Sequence, residues 1–271
     1  MFDLTNDVKK ALDDTTNVYL VELEFREYCL GAQPKSEKLI RSWIETKMKR
    51  EAKKAEKMGI EPPTEARKEE LIKRHMDRLF AKGIDETIEE ESERAWCTFF
   101  HDEYGPWIGH YAIKAGIREM LTTLGITGDP KRRGIGQTRQ HLKWVMACDE
   151  EGNVYDGEQA LHLHFFRDGE ILEEVDGCYD STGNVMTAQG PRSILKKNDY
   201  MMGATLRFAV GVPANMPKNR STKLLKDEDM ALVFAHGQNN GFGAMRSMGH
   251  GTFTLKRLVR VTDHPWVRKA A

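Results

Sequence analysis

Apolar and polar positions alternate over Val18–Glu27, VYLVELEFRE, with Tyr19, Val21, Leu23 and Phe25 on one side. Successive side chains of a strand point to opposite faces, so a period of two predicts a half-buried β-strand. It ends at Cys29-Leu30-Gly31, and Pro34, which lacks the N–H a ladder needs, is expected to block continuation. From about Ser36 to Arg94 the period lengthens: Leu39, Ile40, Trp43 and Ile44 fall at helical spacing in a run dense in Lys, Arg and Glu. Gly59 and Pro62-Pro63 interrupt this run and Lys82-Gly83 closes it, which predicts two antiparallel helices. Their charges are interspersed in sign, which fits a solvated hairpin laced with i,i+4 pairs better than a nucleic-acid-binding arm.

After the turn Tyr104-Gly105-Pro106, the segment GHYAIKAGIREMLTTLG (Gly109–Gly125) places Ile113, Ile117, Met120, Leu121 and Leu124 on one helical face, with Gly125 as terminator. Strand-like runs follow at Trp144–Cys148, Ala160–Phe166, Ile171–Val175, Asn184–Ala188 and Thr205–Val212. The intervening Asp149–Asn153, Asp168-Gly169 and Thr182-Gly183 have hairpin-turn composition, so the sheet is expected to be largely antiparallel. KDEDMALVFAH (Lys226–His236) opens with three acids and is followed by Gly237, the charge order that a helix dipole favours. TFTLKRLVRV (Thr252–Val261) alternates again and predicts a last strand. No internal repeat is evident.

The chain has 271 residues, 39% hydrophobic and 31% charged, with a formal net charge of -1. That is enough chain for one elaborated domain or two small ones, and its near-zero charge selects no partner by itself. A nucleic-acid surface would have to be a local patch. Cys29, Cys97, Cys148 and Cys178 form no C-x-x-C pair and read as buried free thiols. The start MFDLTNDVKK has no basic-then-apolar pattern, and no apolar run approaches the ~20 residues of a membrane helix, so a cytoplasmic protein without membrane contact is expected.

Two stretches concentrate positive charge. Gly128–Lys143 carries Lys131, Arg132, Arg133, Arg139 and Lys143 with no acid after Asp129, and PKNRSTK adds Lys218, Arg220 and Lys223. Both suit a phosphate-facing track, or simply solvated loops. The stretch GFGAMRSMGHGTF (Gly241–Phe253) is of another kind: two G-x-G pairs, one arginine and no acid. Glycines admit positive φ and close backbone approach, and Arg246 supplies a forked donor suited to phosphate. No G-K-[ST] follows, and the loop leads to a strand, where a dinucleotide fingerprint would open a helix; no cofactor is therefore expected.

The pattern G-φ-G, five residues including a basic one, then G-x-G and an aromatic resembles the signature loop of the RAMP superfamily, the repeat-associated proteins that build CRISPR ribonucleoprotein complexes. IGHYAIKAGIREML (Ile108–Leu121) is similar to that family's first-helix motif, a glycine-led turn and a helix of K-G-A-L-R type. The resemblance implies an α+β fold with a ferredoxin-like (RRM-like) βαββαβ core, formed by residues 1–35 and 96–271, an expanded β-rich middle, and the charged helical hairpin, residues 36–95, as an insertion. It implies a protein that holds single-stranded RNA, CRISPR RNA in particular, through Gly241, Gly243, Arg246, Ser247, Gly249 and Gly251. DNA is the other polynucleotide partner, and other ribonucleoprotein subunits or copies of the chain are the protein partners. The long insertion, the β-rich middle and His250 inside the second G-x-G depart from the family pattern.

Family members that process CRISPR RNA are metal-independent endoribonucleases, often with a histidine base, and here His110 and His250 are the candidates. Members that cut target RNA carry an acid near the end of the first strand, where this chain offers Glu27 alone. His162 and His164 share a strand face but have no third ligand at usable spacing, so no metal is expected. G-x-S-x-G and H-E-x-x-H are absent, which removes conventional hydrolase chemistry. A viral or mobile-element assembly protein that reuses the fold without binding nucleic acid is the third alternative.

Overall fold

In the computed structural model, which describes residues 16–34, 37–59, 64–79, 96–126, 142–187, 190–214 and 224–261, the opening alternation is strand β1 (Thr16–Phe25). Two-residue strands β2 (Cys29–Leu30) and β3 (Gln33–Pro34) follow. Against expectation Pro34 is paired: β3 lies at the end of its sheet, where a missing N–H costs no ladder bond. The charged run forms α1 (Glu37–Met58) and α2 (Glu65–Leu79), while its predicted end at Lys82-Gly83 lies outside the described residues. Strands β4 (Trp96–Thr98), β5 (Phe100–His101) and β6 (Pro106–Gly109) lead into α3 (His110–Thr123). Next come β7 (Trp144–Ala147), β8 (His162–Arg167) and β9 (Glu170–Ile171). Strands β10 (Gly177–Thr187), β11 (Gly190–Met201) and β12 (Thr205–Pro213) precede α4 (Asp227–Asn240) and β13 (Phe253–Val261). The protein is α+β, with largely antiparallel sheets.

Two strand expectations change. The run Ile171–Val175 is a strand only through Ile171, because the consecutive exposed Glu173 and Glu174 break the inward–outward alternation. Thr182-Gly183 is no turn. Both residues sit inside β10, in unbroken register with Leu195 and Ile194 of β11.

The chain forms two compact units: Met1–Cys29 with Ile108–Ile171 and Met202–Ala271, and Leu30–Trp107 with Leu172–Met201. The sheet of the first runs β13-β1-β12-β8, each neighbour antiparallel, with β7 also pairing β12 and β9 pairing β8. One face of β1 and β12 carries Tyr19, Leu23, Phe25 and Phe208, all buried. Phe208 meets Phe234 of α4 at 6.3 Å, and α3 packs on α4 with Met120 against Gly237. Burying a phenylalanine of this kind contributes about 1.5–3 kcal/mol, so these rings fix α3 and α4 against the sheet. On the opposite face Val18, Leu20, Ala209 and Cys148 form a cluster with Trp144, Val154 and Val261, and beyond it Arg207 pairs with Glu22 at 3.1 Å.

In the second unit β11 pairs with β10 and, in parallel, with β4, which pairs with β3. Ile44 and Met48 of α1 and Ile72 of α2 bury themselves on Phe100 and Trp107, whose rings stack at 4.6 Å. Arg41–Glu69 and Lys68–Glu45, both at 3.2 Å, join the two helices. Solvent screens such pairs and they contribute little, so apolar burial decides the packing. Among the described residues no helix is long and apolar enough to cross a membrane. Of the cysteines, all free, Cys29 and Cys148 are buried as expected, whereas Cys97 is half-buried and Cys178 exposed on β10.

Candidate nucleic-acid interface

The glycine loop begins where α4 stops. Gly241 caps the helix with φ 69°, and its N–H donates to the Gly237 carbonyl at 2.9 Å. The chain then crosses itself: the Phe242 N–H donates to the Gly251 carbonyl at 2.9 Å, and the Gly251 N–H to the Tyr28 carbonyl at 2.8 Å. A Cβ on Gly241 would lie 2.6 Å from the Gly251 carbonyl, and one on Gly251 would lie 1.7 Å from the Phe242 oxygen. Backbone crossing thus demands glycine at both positions. Between them, Arg246–Met248 form one 3-10 turn, entered through Met245 in the left-handed region (φ 53°) and left through Gly249 (φ 88°). A left-handed non-glycine residue costs of order 1 kcal/mol or more, a strain that the rest of the loop must hold. The turn leaves Ser247, Met248 and Gly249 exposed.

Phe242 anchors the loop. Its ring stacks on Phe253 at 5.3 Å and lies where a side chain on Gly116 of α3 would have to go, 2.6 Å from the position of that Cβ. The two motif-bearing segments are therefore in contact. Arg246 adds a second link: its Nη2 donates to Oε2 of Glu119 at 2.8 Å. The structure thus gathers Gly241, Gly243, Arg246, Ser247, Gly249 and Gly251 in one loop and sets them beside Gly116 and Glu119, which the motif reading did not single out. A signal for Glu119 existed in the sequence. It is the one acid in Gly109–Gly125, and the loop Gly241–Phe253 holds one arginine and no acid.

The two histidine candidates stand apart. His250 is buried in the loop's own packing, its ring stacked on Tyr28 at 6.1 Å. His110 opens α3, and helix rise separates it from Glu119 by about 14 Å. Its ring N–H donates to the Leu161 carbonyl; burial lowers its pKa, and the positive charge of Lys114 and the His162 ring act in the same direction. Lys114 is likewise lowered, first by burial and then by Arg118. Its Nζ donates to the carbonyl of Lys143, whose own Nζ donates to the Thr16 hydroxyl. His162 and His164 are buried on β8 with ring centroids 6.3 Å apart, and among the described residues no group of three His, Cys, Asp or Glu is placed to hold a metal. Lys131, Arg132, Arg133, Arg139, Lys218, Arg220 and Lys223 lie outside the described residues.

No family model and no curated protein matches the chain. Among solved structures, it is similar to a chain of the cryo-EM structure of the Type III-B Cmr-beta bound to cognate target RNA, with a TM-score of 0.35 and 14% identity. The likeness covers 94% of this chain and 64% of that one, so this chain spans less than two thirds of that chain's length. A TM-score of that size does not establish a shared fold.

Proposed function

We propose that the chain is a RAMP-type, single-stranded-RNA-binding subunit of a ribonucleoprotein, which holds the sugar–phosphate backbone at the glycine loop. One observation carries this reading: the two segments that resemble RAMP motifs, 125 residues apart at Gly116 and Gly241, pack directly on one another through Phe242. The order of elements supports it. Reading β7 and β8 together as the second strand, β1, α3, β7/β8, β12, α4 and β13 follow a βαββαβ sequence, and the sheet order places the fourth strand beside the first, then the third and the second. We read the first unit as ferredoxin-like on that basis.

In this account the exposed 3-10 turn and Arg246 hold one phosphate, and Lys143 with the basic loop before it extends the track. Contacts to phosphate carry no sequence information and release counterions, so binding is largely independent of sequence and sensitive to salt. The test is binding of a labelled single-stranded RNA of about 30 nucleotides, and of its DNA counterpart, to the wild type and Arg246→Ala without divalent metal. Binding that weakens on substitution supports the reading, and absence of wild-type binding at low salt removes it.

One observation favours a second reading, a metal-independent endoribonuclease. The lowered pKa of His110 keeps its imidazole neutral near pH 7, the form that accepts a proton from a ribose 2′-OH. A denaturing gel of the same samples tests it: RNA shortened by the wild type and intact with His110→Ala is the expected result.

A further inference from the structure

Arg246 is the side chain on which a phosphate contact at the loop would depend, and it already has a partner. Its guanidinium donates to Glu119 at 2.8 Å; the Arg246 side chain is 32% exposed and that of Glu119 58%. The two partners differ in what holds them. Arg246 is carried by a turn bounded by a strained Met245 and by Gly249, at which a Cβ would meet nothing within 4 Å. Glu119 stands on a helix fixed by the buried Ile113, Ile117, Met120 and Leu121.

We propose that Glu119 is an affinity-setting residue that occupies Arg246 in the absence of ligand, and that a phosphodiester binds by exchange, the guanidinium leaving the Glu119 carboxylate for a phosphate oxygen. This rests on the reading of the loop as a phosphate site. The exchange is chemically balanced, since one charge-assisted hydrogen bond to an anionic oxygen replaces another. Glu119 is exposed enough to be rehydrated when released, so the cost is that of an exposed ion pair, small but paid at every binding event. Glu119 therefore lowers affinity for polyanions in general and makes weak, scattered contacts less able to hold the loop than a continuous backbone. It acts through Arg246 and touches no ligand itself.

The experiment is a double-mutant cycle. Binding of a labelled single-stranded RNA of about 30 nucleotides is measured for the wild type, Glu119→Gln, Arg246→Ala and the double variant, with thermal unfolding of each as a folding control. Glu119→Gln is expected to bind about two- to fivefold more tightly than the wild type, and the same change to have little effect when Arg246 is already absent. Unchanged or weaker binding by Glu119→Gln would overturn exchange, the weaker result meaning that Glu119 holds Arg246 in its productive position. An equal gain in both backgrounds would overturn it as well, since Glu119 would then act as a bare repelling charge. If the wild type binds and Arg246→Ala weakens it, the phosphate-site reading survives either result. If none of the four proteins binds, the phosphate-site reading fails and exchange fails with it.

Discussion

Gly116 of α3 lies against the ring of Phe242, and a Cβ on Gly116 would come within 2.6 Å of that ring's Cε1. The ring has little room to yield, because it is buried and stacked on Phe253 with an interplanar angle of 12°. A glycine that weakens α3 as an isolated helix thus secures the loop against it. Gly116→Val is expected to destabilise the protein by about 1–3 kcal/mol, the usual cost of overpacking. Urea unfolding of the variant checks this, and a midpoint at or above that of the wild type would contradict the contact.

The loop glycines separate into two kinds. Gly251 has φ 74° and a Cβ there would strike the Phe242 carbonyl at 1.7 Å, whereas a Cβ at Gly249 would meet nothing within 4 Å. Gly249→Ala therefore pays only for its left-handed backbone, about 1 kcal/mol. Gly251→Ala also forces the backbone crossing apart. The expected order of unfolding midpoints is wild type, then Gly249→Ala, then Gly251→Ala.

His110 makes stability depend on pH. Burial, aided by Lys114 and His162, lowers its pKa in the folded state, so the unfolded chain binds this proton more readily than the folded one. The contribution of this group is complete above the unfolded value of about 6.5 and is lost as the pH falls through that value toward the lowered folded one. Urea midpoints measured from pH 8 to 5 should decline on the acid side, and His110→Gln should flatten that part of the decline.

The cysteines should react in order of access. Burial pushes the Cys148 thiol up to about 12 and raises that of Cys29 further, so neither forms an appreciable thiolate near pH 8. Cys178 is also raised, by burial and then by Asp199 and Asp180, but it is exposed. A thiol reagent on the native protein should modify Cys178 before Cys29 and Cys148. Mass spectrometry of the labelled peptides reads the order.

Much of the first unit was legible because local pattern and tertiary packing agree there. The alternation of β1, the apolar face of α3, and the acids Asp227, Glu228 and Asp229 opening α4 each point to the element that forms. Strand β11 is not among the strands expected from the sequence; its pairing with β10 and with β4 is what forms it. Asn198 illustrates the reason. It is buried, and its side-chain amide donates to the Gly31 carbonyl at 2.9 Å, a partner far away in the chain. The glycine loop was legible as a loop and as a site candidate. Its tie to Glu119 depends on α3 and α4 packing together, which no single stretch encodes.

The most direct test of phosphate binding at the loop is the salt dependence of single-stranded RNA binding, compared between the wild type and Arg246→Ala. If Arg246 takes a backbone phosphate, removing it should weaken binding at low salt and reduce the slope of log K against log salt concentration by about 0.7, the share of one phosphate on a single strand. Equal slopes and equal affinities, or no binding by the wild type at low salt, would contradict the account.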